Sequence, residues 1–251
     1  MNLERLHGVK FSTPLAGVGL EAAPHAEAPS FAIEVRSAAE LPWSLDVPLV
    51  ARWSRPGAAC ELEVRGVGRF AITEDRIEVT PVPTVREDVL RLFVRYHAVG
   101  LRMRVAGFVV LHGAAVSLGG QAHVWVGVSG AGKTGSALEA CGRGARFLAD
   151  EVVVLRAEEG ERFFVRRGVP WPRVEAGAPM HLHRLAHESL AEEAEEVPLG
   201  RVLLPRSAGR PGDAAQLAAQ VIGGYRPELA PLPDELRARE ALLDALVALR
   251  S

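Results

Sequence analysis

Lysine is almost missing from this chain. Of 251 residues only Lys10 and Lys133 are lysine, so 27 of the 29 basic side chains are arginine. A lysine kept against that background points to a place where a compact ammonium does what a planar guanidinium does not. Cysteine is scarce as well. Cys60 and Cys141 stand far apart and form no CxxC pair, so neither a zinc ribbon nor a disulfide framework is suggested, and a reducing compartment fits. No excess of one charge exists either. The net charge is −2 with both signs scattered, which offers no basic face for nucleic acid and no polybasic anchor for a membrane. Long apolar runs are also lacking: nothing approaches the ~18 residues of a membrane span. The opening "MNLERLHGVKFSTPLAG" carries early charges and no apolar core of a secretion signal, so the expected location is cytoplasmic. What remains, 48% hydrophobic and 24% charged residues, describes a soluble globular chain with a real core.

The texture changes near residue 107. Before it lie short alternating runs, "SFAIEVRS", "CELEVRG", "RFAITED" and "RIEVTP", the pattern of half-buried antiparallel strands. Residues 1–83 are thus expected to form a small β-rich lobe. Residues 84–106 read as a linking helix, with Val85, Val89, Leu92, Phe93 and Tyr96 at helical spacing, Thr84 as N-cap and Glu87 and Asp88 in the first turn. Residues 107–251 read as a second domain. It opens with apolar strands, "FVVLHGAAVSL" and "AHVWVGV", of a central sheet. A hairpin "VVVLRAEEGERFFVRR", a Pro-rich loop "GVPWPRVEAGAP", a strand "RVLLP" and two helical segments, "DAAQLAAQVIGG" and "PDELRAREALLDALVALR", follow.

The kept lysine lies in "HVWVGVSGAGKTGSALEA". Gly127, Gly132, Lys133 and Thr134 match G-x-x-x-x-G-K-[ST], with an apolar strand before and a helical pattern after. In such a loop, backbone N–H groups of Gly127, Ser129, Gly130, Ala131, Gly132, Lys133 and Thr134 turn toward phosphate oxygens, and the helix start adds partial positive charge. Lys133 would reach the β/γ-phosphates of ATP, and Thr134 would offer a hydroxyl to Mg²⁺.

Two further features bear on the chemistry. "GARFLADEVVVL" ends an apolar run in Asp150-Glu151, with Asp150 only 17 positions beyond Lys133. One carboxylate could hold Mg²⁺ and the other accept a proton from an attacking hydroxyl; exposed turn acids are the plain alternative. His112 sits in "VVLHGAAV", on the strand expected to pair with the one feeding the loop. Alone it would read as a core histidine.

Together, "LHGAAVSLGGQAHVWVGVSGAGKT…RGARFLADE" resembles the catalytic domain of HPr kinase/phosphorylase and its wider group of kinases, over about residues 107 to 156 and more loosely beyond. The resemblance implies an α/β fold: a P-loop kinase domain with a central mixed sheet of phosphoenolpyruvate carboxykinase-like type, here preceded by the β-rich lobe. It implies ATP and Mg²⁺ as cofactors and a serine hydroxyl on a peptide, protein or small molecule as acceptor. Asp150 matches the acid that deprotonates the serine, His112 the histidine beside it, and Lys133 the phosphate-binding lysine of the catalytic set. Glu151 falls where the group usually has a second aspartate, joining Thr134 as a metal ligand. The glycine-rich signature that follows the acids in HPr kinases has no counterpart in "RRGVPWPRVEAGAP", so HPr is not the implied acceptor. A homo-oligomer is compatible with the resemblance.

Other candidates carry less. His181, His183 and His187 in "HLHRLAH" have one pair at helical spacing but no completing ligand, so a solvated helix is the better reading. "HESLAEEAEE" reads as an exposed helical face. Arg206 and Arg210 could touch a transferred phosphoryl group, and Trp171 could line an acceptor pocket or pack a loop. Two rivals stay open. One is a regulatory or assembly protein that binds nucleotide without turnover. The other, an ATP-hydrolysing motor or transporter subunit, lacks the Leu-Ser-Gly-Gly signature and ranks last.

Overall fold

The computed structural model describes residues 2–7, 9–16, 18, 21–22, 30–43, 49–53, 59–127, 130–158, 162–169, 172–174, 177–188 and 195–203. It is a mixed α/β structure, rich in strands and poor in helices. Two compact units are present: one takes in the chain through Phe108, the other opens at Val109.

The first unit is an eight-stranded sheet. Its strands are β1 (Asn2–Leu6), β2 (Val9–Thr13), β3 (Glu21–Ala22), β4 (Phe31–Val35), β5 (Leu49–Trp53), β6 (Ala59–Val64), β7 (Gly68–Thr73) and β8 (Arg76–Pro81), in the order β3-β1-β2-β4-β8-β7-β6-β5. The expected alternation is visible in β7 and β8, which bury Phe70, Ile72, Ile77 and Val79 and turn Arg69, Ala71 and Glu78 away from the core. The expectation of purely antiparallel pairing fails at β4, which runs parallel to both β2 and β8. Alternation is the same for either direction; the connection decides. The chain between Thr13 and Phe31 is long enough for the crossover a parallel pair needs, and β5 to β7 intervene before β8.

The segment set apart at 84–106 packs on β6 and β7. It is α1 (Glu87–Phe93), a π-helical turn (Val94–Ala98) and α2 (Val99–Val105). Thr84 is not its cap. Val82 to Val85 close a turn, Val85 N donating to Val82 O at 3.3 Å, and Arg86 holds the cap position in extended conformation without a side-chain cap bond. Glu87 and Asp88 do occupy the first turn. The buried face is Leu90, Val94, Ala98 and Leu101, while Leu92 is 49% exposed. Leu92 lies in α1, where Leu90 takes the buried position; the π turn that follows holds more residues than an α turn and changes the phase only of what comes after it.

The second unit closes on itself as a five-stranded barrel, β10-β13-β12-β11-β9, which leaves no sheet edge. Its strands are β9 (Val109–Leu118), β10 (Gln121–Val126), β11 (Arg146–Glu158), β12 (Arg162–Arg166) and β13 (Glu196–Leu203). Only β10–β13 is parallel. The apolar β9 lies between the strand that feeds the glycine loop and the strand that carries the acids. Helix α3 (Lys133–Cys141) packs on all three and against α4 (Met180–Glu188). Ala114, Val116, Ala137, Leu138 and Phe147 form the core of that packing, with Leu182 and Leu185 of α4 laid against it. The acidic run beyond α4 is not one helical face. Residues 189–194 lie outside the described residues, and Glu196 opens β13, paired with Arg156 Nη2 at 2.8 Å and Arg166 Nε at 3.1 Å. No helix among the described residues is long and apolar enough to cross a membrane.

Candidate functional site

Strand β10 delivers the chain to Gly127, and α3 begins six residues later at Lys133. Gly130 (φ 80°) and Gly132 (φ 84°) are in the left-handed region that side-chain-bearing residues avoid. Gly132 caps α3 and accepts from Ser136 N at 2.9 Å. Those two glycines let the loop curl over the helix start, where unpaired N–H groups and the helix dipole favour an anion. Ala131 is buried in the loop, and Ser129 lies outside the described residues.

Lys133 is only 6% exposed. Burial lowers its pKa, and the charges of Glu151 and Asp150 oppose that shift. Both consecutive acids therefore act on one ammonium, although neighbours in a strand ordinarily point to opposite faces. The reason is local. Glu151 has φ 65° within β11, a left-handed conformation that costs an L-residue roughly 1–2 kcal/mol. Strain of this kind persists where the surroundings over-determine it. Here His112 Nδ1–H donates to the Glu151 carbonyl oxygen at 3.1 Å, and the same nitrogen lies 3.6 Å from Glu151 Oε2. Gly113, opposite Glu151 in the ladder, is needed on its other side, against β10: a Cβ there would sit 2.7 Å from the Trp125 carbonyl oxygen.

Asp150 is 2% exposed. Thr134 Oγ1–H lies 3.0 Å from Oδ1 and 3.2 Å from Oδ2, and the main-chain N–H of Arg173 donates to Oδ2 at 2.7 Å. Burial pushes the Asp150 carboxyl up to about 7; the Arg173 N–H pulls it down, the Glu151 charge adds to the rise, and the Thr134 hydroxyl opposes it. His112 moves the other way. Burial lowers its pKa, Lys133 lowers it further, and Glu151 and its carbonyl partly restore it, so the ring is neutral near pH 7 with its proton on Nδ1.

Beside these groups is a cavity of about 380 Å³. Gly130, Gly132, Lys133, Thr134 and Glu151 line it together with Arg173, Val174, Ala178 and Leu182. Asp150 and His112 are not on its wall; they reach it through Thr134, Arg173 and Glu151. A triphosphate fits the cradle by chemistry: positive-φ glycines, a helix start and a buried ammonium. The two carboxylates and one hydroxyl also suit Mg²⁺, which takes one or two carboxylates and leaves its other positions to phosphates and water. Among the described residues no three His, Cys, Asp or Glu side chains form a metal cluster. His181 is exposed and His183 half-buried on α4, and the side chain of His187 lies outside the description. Trp171, Arg206, Arg210 and both C-terminal helical segments also lie outside the described residues.

Arg173 and the aliphatic wall were not singled out by sequence reasoning. Arg173 lies in the quoted Pro-rich loop, but its bond to Asp150 uses a main-chain N–H, which any residue but proline carries.

No family model and no curated protein sequence matches the chain. Among solved structures, the HPr(Ser) kinase/phosphatase from Coxiella burnetii is similar over 38% of this chain and 63% of its own length, with 14% identity and a TM-score of 0.28.

Proposed function

We propose that the second unit is an ATP-dependent kinase of phosphoenolpyruvate carboxykinase-like fold that transfers the γ-phosphoryl group to a serine hydroxyl on a peptide, protein or small molecule. The observation that carries this reading is the juxtaposition at the cavity. The hydroxyl of a G-x-x-x-x-G-K-T loop is hydrogen-bonded to one carboxylate, and the buried lysine before it lies in the field of that carboxylate and its neighbour. Lys133 and the loop N–H groups hold the phosphates. Thr134 and Asp150, already bonded to each other, are the pair that would hold Mg²⁺, and Mg²⁺ when bound neutralises charge on the β- and γ-phosphates.

The two acids take exchanged roles relative to the sequence expectation. Asp150 is buried with both oxygens engaged, which suits a metal carboxylate and hinders access by an acceptor. Glu151 lines the cavity, with a side chain 29% exposed. It is the carboxylate an incoming hydroxyl can meet, and His112 holds it in place. The acceptor oxygen bonds to γ-phosphorus, the bond from γ-phosphorus to the bridging oxygen breaks, ADP leaves, and the hydroxyl proton passes to Glu151.

Calorimetric titration with Mg·ATP tests the cradle. Wild type is expected to bind, and folded Lys133→Ala to lose about tenfold or more in affinity, the size of a charge-assisted contact. Equal affinity in the two proteins would contradict the reading.

A further inference from the structure

The cavity has two cationic side chains on its described walls, Lys133 and Arg173. Lys133 is buried at the start of α3, whereas Arg173, from the segment before α4, is exposed. Its backbone is pinned on both sides. The main-chain N–H is 2.7 Å from Asp150 Oδ2, and the next residue, Val174, packs against the cluster of Leu138, Ala137 and Phe147. Across it, the Val174 N–H donates to the Pro172 carbonyl oxygen at 3.0 Å. The guanidinium itself has no hydrogen bond or ion pair with any described residue. A cation whose main chain is fixed and whose head is uncommitted, beside the carboxylate bonded to Thr134, is built to meet something that enters the cavity.

The geometry points to Arg173 as the second phosphate-reading cation of the cavity, contacting the terminal phosphoryl group of a bound nucleoside triphosphate. This rests on the nucleotide reading above and adds a residue to it. Lys133 is a single ammonium placed at the helix start, so it serves the phosphates seated in the loop. The terminal phosphoryl group presents three oxygens beyond that seat, and during transfer charge spreads over them. The lining residues near Arg173 in sequence, Val174, Ala178 and Leu182, are aliphatic and give no donor from their side chains. A planar guanidinium can bond two phosphoryl oxygens at once, which an ammonium cannot reproduce with the same geometry. A diphosphate lacks the group that Arg173 reads.

That difference supplies the test: calorimetric affinities for Mg·ATP and Mg·ADP on the full chain as wild type, Arg173→Gln and Arg173→Lys, with Lys133→Ala as the control for the cradle. Arg173→Gln is expected to weaken Mg·ATP about tenfold or more and to leave Mg·ADP within about twofold. Arg173→Lys should recover part of the ATP affinity, since charge is restored without the fork. Unchanged ATP affinity in Arg173→Gln would overturn the inference. So would an equal loss for ATP and ADP, which would assign Arg173 to loop placement alone. If Lys133→Ala binds both nucleotides as wild type does, the cradle reading fails and this inference with it. If Lys133→Ala weakens both while Arg173→Gln weakens neither, the cradle reading stands and only the role of Arg173 is lost.

Discussion

Thr134 Oγ1 lies 3.0 Å from Asp150 Oδ1 and 3.2 Å from Oδ2, so one hydroxyl is shared between both oxygens of a carboxylate 16 residues further along the chain. This contact draws the N-terminus of α3 onto β11 and defines the floor of the cradle. Thr134→Val keeps the shape and removes the donor. Because that donor pulls the Asp150 pKa down, its loss should move the Asp150 titration, followed by ¹³C NMR of its carboxyl carbon, above about 7. Affinity for Mg·ATP should fall at the same time. A titration that stays in place or moves down would mean the hydroxyl does not stabilise the carboxylate.

Asp150 also makes stability depend on pH, with a definite sign. Its carboxyl is raised from 3.8 to about 7 on folding, so between those values the folded protein binds the proton more tightly than the unfolded chain. The contribution is fully present below about 4 and lost as pH rises toward 7, with a slope of up to about 1.4 kcal/mol per pH unit in nucleotide-free protein. Urea unfolding of wild type and Asp150→Asn should show the advantage of wild type over the mutant shrinking from pH 5 to pH 8. An advantage that grows over that range would contradict the burial of this group.

Glu151 holds a left-handed φ of 65°, so glycine relieves strain there. The relief of roughly 1–2 kcal/mol is offset by the roughly 0.5–1 kcal/mol that glycine costs through the unfolded chain. Glu151→Gly should therefore be as stable as wild type or up to about 1.5 kcal/mol more stable, whereas most substitutions in a strand ladder destabilise. Transfer activity should nonetheless be lost. A fall in the urea midpoint equivalent to more than about 1 kcal/mol would show that the conformation carries no strain.

What could be read from the sequence, and what could not, follows from where the information sits. The glycine loop was legible because left-handed backbone at Gly130 and Gly132 demands glycine. The acids were legible as a pair at a telling distance from Lys133, but the strand expected to end in Asp150-Glu151 does not end there: β11 runs through both, from Arg146 to Glu158. The pairing of β9 with β10 and the β11–β12 hairpin follow from short connections. The left-handed turn at Glu151 was not legible, since glutamate has no preference for it; the contact that holds it is the His112 ring on its carbonyl oxygen. The contact of Arg173 with Asp150 is carried by a main-chain atom and leaves no mark on residue type. The parallel placement of β4 is likewise hidden, because alternation looks the same in both directions, and the π turn at Val94–Ala98 changes the phase of the helical face after it in a way regular spacing does not show.

The central claim is transfer to a hydroxyl with Glu151 as the base, and the fate of labelled phosphate tests it most directly. With γ-³²P-ATP, Mg²⁺ and a panel of serine-bearing peptides, proteins and free serine, wild type should place label on an acceptor. Glu151→Gln should lower that transfer by roughly 10²–10⁴-fold, the range of general-base catalysis, while still binding Mg·ATP. Label found only as free phosphate with every acceptor offered would contradict the account.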